Sequence, residues 1–154
     1  MSSIADIYNY RPVSPTLATS GQPREQQLAA VADAGFEVVI NLALHDDPRY
    51  SLSDEAATVQ SLGMEYVHIP VQFAAPTRQD LDRFFEAMDA NAERAVWVHC
   101  AANMRVSAFV GLYRALRRGW PTAEAFALMD SVWQPDPVWR EFIAAQLASA
   151  REQP

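Results

Sequence analysis

The chain contains one cysteine, Cys100, and its neighbours are the residue types a reactive thiol needs. In "VHCAANMRVS" (98–107), His99 precedes the cysteine, Arg105 follows five positions later and Ser107 seven positions later. An apolar run (95–98) leads in, and a helix-like pattern leads out. A thiol attacks as the thiolate, and free cysteine ionises only near pH 8.5. The N–H groups and dipole at a helix start favour an anion placed there. A guanidinium adds a full charge and two parallel hydrogen bonds for an oxyanion. One loop thus supplies nucleophile and anion cradle together. That suits displacement at phosphorus, where positioning and charge stabilisation dominate. The plain alternative is a buried, inert cysteine at a strand end. The spacing of Cys, Arg and Ser at one strand–helix junction favours the reactive reading.

The elements that must position this loop alternate along the chain. "TLATSGQ" (16–22) reads as a first strand. "PREQQLAAVADAG" (23–35) reads as a helix with Pro23 at its start and Gly35 at its end. "FEVVINLAL" (36–44) is a buried strand by its β-branched apolar run. "SDEAATVQSLG" (53–63) is a helix with a serine cap and a closing Gly63, and "MEYVHIPV" (64–71) is a third strand. "TRQDLDRFFEAMDAN" (77–91) opens with the Thr77–Asp80 pair of a capping box and continues as an amphipathic helix. "AVWVH" (95–99) is the fourth strand. Helices follow over 106–119, 121–133 and 136–152. Strands alternating with helices predict an α/β three-layer sandwich, a mostly parallel sheet of four to five strands covered on both faces. Such sheets bind ligands at the carboxyl ends of their strands, where Cys100 lies.

A length of 154 residues predicts a single domain over 1–154, large enough to bury roughly 68–70% of its unfolded surface. A net charge of −7 argues against nonspecific nucleic-acid binding. All twelve basic residues are arginine, so no lysine serves as nucleophile or phosphate ligand. No apolar stretch approaches the roughly 18 residues of a membrane span, and the first residues lack the basic-then-apolar order of a signal peptide. A lone cysteine suits a reducing compartment, so a cytoplasmic location is expected. His45 and His68 lack ligand spacing, so neither metal nor cofactor is expected.

"VHCAANMRVS" resembles the signature loop of the cysteine-dependent protein tyrosine and dual-specificity phosphatases: His-Cys, five residues, Arg, then Ser or Thr. "TSGQP" (19–23), "VVINLA" (38–43) and "YVHIPV" (66–71) resemble a bacterial branch of that fold, a domain family of unknown function. The resemblance implies that Cys100 is the nucleophile, Arg105 the phosphate clamp and Ser107 the hydroxyl that eases thiolate departure. It implies that His99 orients the loop, and that His99, Ala101, Ala102, Asn103, Met104, Val106 and Gln72 line the substrate site. The implied ligand is phosphate or sulfate in the loop. The implied partner is a phosphorylated small molecule or a phosphoprotein. Gly21 would serve a strand-to-helix turn, and Gln22 would face the pocket.

Three positions depart from that pattern. The family arginine stands six after the cysteine; here that position is Val106, and the arginine comes one earlier while Ser107 keeps its place. The usual loop glycine is Asn103, a residue that tolerates the left-handed conformation. The usual Asp general acid is Gln72, and a missing acid costs about 10²–10⁴ in rate. Replacement acids are Asp46, Asp47 and Asp136. The first two also read as a solvated turn, and Asp136 as a cap before Pro137. Trp133 and Trp139 read as core, with a pocket wall as the alternative. Two loop forms suit the arginine. In the favoured one the loop keeps the phosphatase length and Arg105 leaves on another side; in the other, the loop is tighter by one residue and Arg105 opens the helix. Rhodanese-type sulfurtransferases also place arginine five after the cysteine, so sulfur transfer and a noncatalytic phosphate-binding domain stand as alternatives to a weak phosphatase.

Overall fold

Two short apolar segments, Val38–Asn41 and Val96–His99, are buried along their whole length and pair side by side at the centre of a sheet. The computed structural model describes residues 3–44 and 52–152. After a 3-10 turn at Ile4–Asp6 come β1 (Arg11–Ser14), β2 (Leu17–Ser20), α1 (Glu25–Asp33), β3 (Val38–Asn41), α2 (Glu55–Ser61), β4 (Glu65–His68) and α3 (Arg78–Ala90). Then follow β5 (Val96–His99), α4 (Met104–Arg117), α5 (Thr122–Ala125), α6 (Ala127–Val132) and α7 (Pro137–Glu152). The strands form one sheet in the order β1-β2-β5-β3-β4. β2, β5, β3 and β4 are parallel, and β1 is antiparallel to β2, with its register slipping between Pro12 and Ser14. The α/β sandwich with a mostly parallel sheet is therefore the observed fold.

Alternate side chains of the central strands enter different cores. Val38, Ile40, Val96 and Val98 join the cluster under α3, α4 and α7. Val39 and Trp97 join the cluster under α1 and α2. Trp97 is fully buried, stacks on Tyr10 at 5.5 Å, meets the edge of Phe36 at 5.1 Å, and donates from Nε1 to Ser20 Oγ at 2.9 Å. Truncating such a ring costs about 3–5 kcal/mol. Its register ties the two strands that flank the site.

The sequence reading differs from the fold in three places. β1 was not expected: "RPVS" has a proline and little apolar character, and it pairs only because β2 offers an edge. The helix expected over 121–133 is broken at Phe126, whose backbone leaves helical geometry. The cause is distant in sequence. A Cβ on Gly111 would lie 2.3 Å from the Phe126 ring, so the ring packs directly onto the backbone of α4. The cap of α2 is Asp54, accepting from the Ala57 N–H at 3.2 Å, rather than Ser53. The Thr77–Asp80 capping box is present as expected.

Candidate functional site

β5 is the central strand, and its last residue His99 stands in register with Ser20 of β2 and Asn41 of β3. The Cys100 N–H donates to Ser20 O at 3.4 Å, and the Leu42 N–H to His99 O at 2.8 Å. Both neighbouring strands therefore hold the point where the chain leaves the sheet, and Cys100 is buried there. The loop then passes close to Gly21. The Gln22 N–H donates to Ala101 O at 3.0 Å, and a Cβ on Gly21 would lie 2.6 Å from that oxygen and 2.6 Å from the Tyr8 ring. Gly21 is thus required by close backbone approach to the cysteine loop, not by the turn expected from the sequence.

Asn103 ends the loop in the left-handed region, with φ of 65°, and α4 begins at the next residue. Its Nδ2 donates to Asn9 O and to Thr19 Oγ1, each at 3.0 Å, while Asn9 Nδ2 donates to Ala102 O at 3.0 Å. Asparagine thus supplies both the backbone tolerance of glycine and a side-chain tether. No side chain caps α4, so the N–H groups of its first turn lack a side-chain acceptor at the cap.

Arg105 leaves the first turn of α4 and is buried to 8% exposure. Its Nη1 donates to Val71 O at 2.8 Å, and its guanidinium carbon lies 5.9 Å from the centre of the Phe73 ring. It has no carboxylate partner among the described residues. Val106, in contrast, is fully buried in the apolar core beneath α4. The helix starts at Met104, so Arg105 is its second residue and Val106 packs into the core. An apolar residue at 106 is drawn into the core, and the neighbouring Arg105 is directed to the segment after β4 through Val71. Val106 can therefore serve a ligand only through its backbone. Ser107 is buried and donates from Oγ to Met104 O at 3.0 Å, within its own helix. Ala101, Ala102 and Met104 are partly exposed on the loop, and Gln72 is exposed on the segment after β4.

The His99 side chain does not line a substrate site; it is fully buried behind the loop. Its Nε2 donates to Glu55 Oε2 at 2.8 Å and its Nδ1 faces Cys100 O at 3.4 Å. Glu55 is the buried acidic partner of the ring. Burial alone would raise the Glu55 carboxyl, but the His99 charge and bonds from His99, Gln22 and Tyr66 outweigh it and hold it at about 2. Gln22 supplies one of those bonds, Nε2 to Oε1 at 2.6 Å, and so faces Glu55. Tyr66 donates from its hydroxyl while accepting from Asn41 Nδ2 at 3.1 Å. Burial and then the Glu55 charge raise Tyr66, which keeps that hydroxyl protonated. Glu55, Tyr66, Asn41 and Asn9 carry no local signal of this role. Glu55 in particular reads as an ordinary acidic residue in the first turn of a helix.

Asp136 accepts from the Trp139 N–H at 2.9 Å, the geometry of a helix cap. Trp139 is fully buried and donates from Nε1 to Phe73 O at 2.7 Å; Trp133 packs against both, 5.7 Å from Phe73 and 6.1 Å from Trp139. Trp139 is thus core, and with Arg105 it pins the segment carrying Gln72. His68 bonds Ala43 O through Nε2 at 2.7 Å, as a strand histidine satisfied by hydrogen bonds. His45, Asp46 and Asp47 lie outside the described residues. Among the described residues no cluster of His, Cys, Asp and Glu suits a metal, and no helix is long and apolar enough to cross a membrane.

Known proteins share this fold. A DUF442 phosphatase candidate of Shewanella putrefaciens CN-32 superposes with a TM-score of 0.84 at 34% identity, covering 96% of each chain. The solved structure of PTPMT1 in complex with PI(5)P shares the fold at a TM-score of 0.73 and 19% identity, over 92% of this chain and 98% of that one. A beta-lactamase hydrolase-like protein of Xylella fastidiosa is 32% identical over 95 residues, 60% of this chain; the match spans 22% of that protein's length. The family model of the DSP-PTPase phosphatase fused to NAD+ kinase matches residues 6–141. A cysteine loop at the carboxyl end of a parallel sheet, with a buried arginine in the following helix turn, is thus found where this chain resembles phosphatases along nearly its whole length, and the chain belongs to the DSP-PTPase phosphatase family.

Proposed function

We propose that this domain hydrolyses a phosphomonoester through a phosphocysteine intermediate on Cys100. The observation that supports this best is the buried guanidinium of Arg105, which has no carboxylate partner among the described residues and sits in the first turn after the cysteine loop. A buried cation calls for an anion. The Cys100 thiolate attacks phosphorus; the S–P bond forms as the ester P–O bond breaks, and the departing oxygen takes a proton from water. A water then attacks the phosphocysteine, the S–P bond breaks, and inorganic phosphate leaves with the thiolate restored. The N–H groups of the loop and first helical turn stabilise the nonbridging oxygens, and Arg105 adds charge. Ser107 and His99 hold the loop from behind. With Gln72 at the usual acid position and Asp136 engaged as a cap, leaving-group departure is poorly assisted, so turnover is weak. The cycle needs neither metal nor cofactor. The phosphoinositide bound by PTPMT1 and the dual-specificity family support a phosphorylated small molecule or phosphoprotein as substrate. A thiol that must stay reduced suits a cytoplasmic setting.

The five-residue step from Cys100 to Arg105, with Val106 in the core, also favours a second reading, sulfur transfer through a Cys100 persulfide. Two assays on the same preparation separate them: phosphate release from p-nitrophenyl phosphate, and thiocyanate formation from thiosulfate and cyanide. Phosphate release that vanishes in Cys100→Ser is the expected result. Thiocyanate without phosphate release would move the assignment to sulfur transfer. Phosphate binding with neither activity would leave a noncatalytic domain.

A further inference from the structure

At the opposite end of the sheet from Cys100, where β2 and β5 begin, a cavity of about 250 Å³ opens between the ends of α3 and α4. Its floor is apolar, formed by Leu17, Val96, Val110 and Met88. Its rim carries Arg94, Arg114 and Arg118, three of the twelve cations in a protein of net charge −7, and no acidic residue lines it. Arg94 is balanced, by Glu65 at 3.1 Å. The other two have no ion pair among the described residues. Arg114 lies flat on Trp120, its guanidinium carbon 4.2 Å from the ring centre, and Arg118 lies 5.4 Å from the Tyr113 ring. The stacked face of a guanidinium is occupied by the ring, whereas its N–H edge can still meet an oxyanion; on Arg118 that edge also meets the Tyr113 side chain. Asp89, the carboxylate bonded to Tyr113 Oη at 2.8 Å, is also met by Arg117 at 3.6 Å. The end of α4 gives these arginines a reason to be near, yet it does not explain why Arg114 is drawn half into an apolar cavity. Burial lowers Arg114, with no neighbouring charge to restore it.

We propose that this cavity binds a small amphiphilic organic anion, an apolar body against the Val96–Val110 floor with one carboxylate or similar oxyanion on Arg114 and Arg118. The site is independent of the cysteine chemistry and lies about 14 Å along α4 from Arg105, at a helical rise of about 1.5 Å per residue.

The test is calorimetric titration of the whole chain with 2-naphthoate, followed in parallel by tryptophan fluorescence. Saturable one-to-one binding with a Kd of about 0.1 mM or tighter is expected. The neutral analogue 2-naphthamide should bind at least tenfold more weakly. Arg114→Met should weaken naphthoate at least tenfold, and Arg118→Gln should do so as well if the first variant proves unfolded by circular dichroism. Cys100→Ser should bind naphthoate unchanged, and millimolar phosphate should not compete. Equal binding of the amide, indifference to both arginine substitutions, absence of saturable binding, or competition by phosphate would each overturn the proposal; the last would place the probe in the cysteine loop.

Discussion

Glu55 and His99 meet at 2.8 Å, Oε2 to Nε2, and both side chains are sealed from solvent. One comes from the first turn of α2 and the other from the end of β5, so the pair joins the wall of the sheet to the residue that precedes the nucleophile. A buried ion pair is costly to break, because the surviving charge is left without a partner; removing one member typically costs about 3–5 kcal/mol.

Glu55→Gln should therefore lower stability by roughly 3 kcal/mol at neutral pH. The pH dependence follows from the carboxyl being held at about 2 in the fold against an ordinary 4.5. The unfolded chain takes up this proton first, so the contribution is fully present above pH 4.5 and drains away as pH falls toward 2. Urea melts at several pH values should show the gap between the native protein and the variant closing over that window. A gap that stays constant would mean the pair is not ionised.

Arg105→Ala should reduce kcat/KM on aryl phosphates by about a hundredfold and weaken phosphate binding by more than tenfold, the size of a lost charge-assisted contact of about 2–3 kcal/mol. Moving the arginine to the usual family position will not help. Val106 is fully buried among apolar residues, so Val106→Arg should destabilise the fold by several kcal/mol rather than raise activity. Thermal melts beside a phosphatase assay decide this, and a well-folded, more active Val106→Arg would show that the loop can take the longer form.

Leaving-group dependence should be steep. p-Nitrophenyl phosphate should turn over at least a hundredfold faster than an alkyl phosphate, reflecting the missing acid. Gln72→Asp should narrow that ratio. Asp136→Asn preserves a good helix cap and should change turnover no more than about threefold; a large loss on alkyl phosphates alone would identify Asp136 as the acid.

Asn103 should prove better than glycine at its position. Asn103→Gly keeps the left-handed turn but loses bonds to Asn9 and Thr19, a cost of about 1–2 kcal/mol. Asn103→Ala loses the bonds and strains the backbone by a further 1 kcal/mol or so. Chemical denaturation should rank them native, glycine, alanine.

Much of this site was legible in the residues themselves. The run of Val96–His99 into Cys100 follows from apolar patterning, whereas the helix read from 106 starts at Met104, directly after the left-handed Asn103. The direction of Arg105 did not follow, because a one-residue shift rotates a helix by about 100° and only the packing of Val106 decides which side faces the loop. Glu55 was invisible for a different reason. An acidic residue in a first helical turn is usually solvated, and nothing within "SDEAATV" says that this turn lies against His99. The break at Phe126 depends on Gly111, fifteen positions away, and no local pattern marks it.

The sheet has two open edges, and β1 guards one of them. Pro12 offers no N–H to a further strand, and the slip in register between Pro12 and Ser14 bends the strand out of line. Without that short strand, β2 would present a row of unpaired backbone groups to any passing chain, beside the loop that Asn9 and Tyr8 help to hold. Cleavage or redesign within residues 8–14 would then do two kinds of harm at once: the cradle would loosen, and molecules would begin to add to one another edge to edge. Self-association, read by light scattering, is thus the earliest sign that this small flap has been lost.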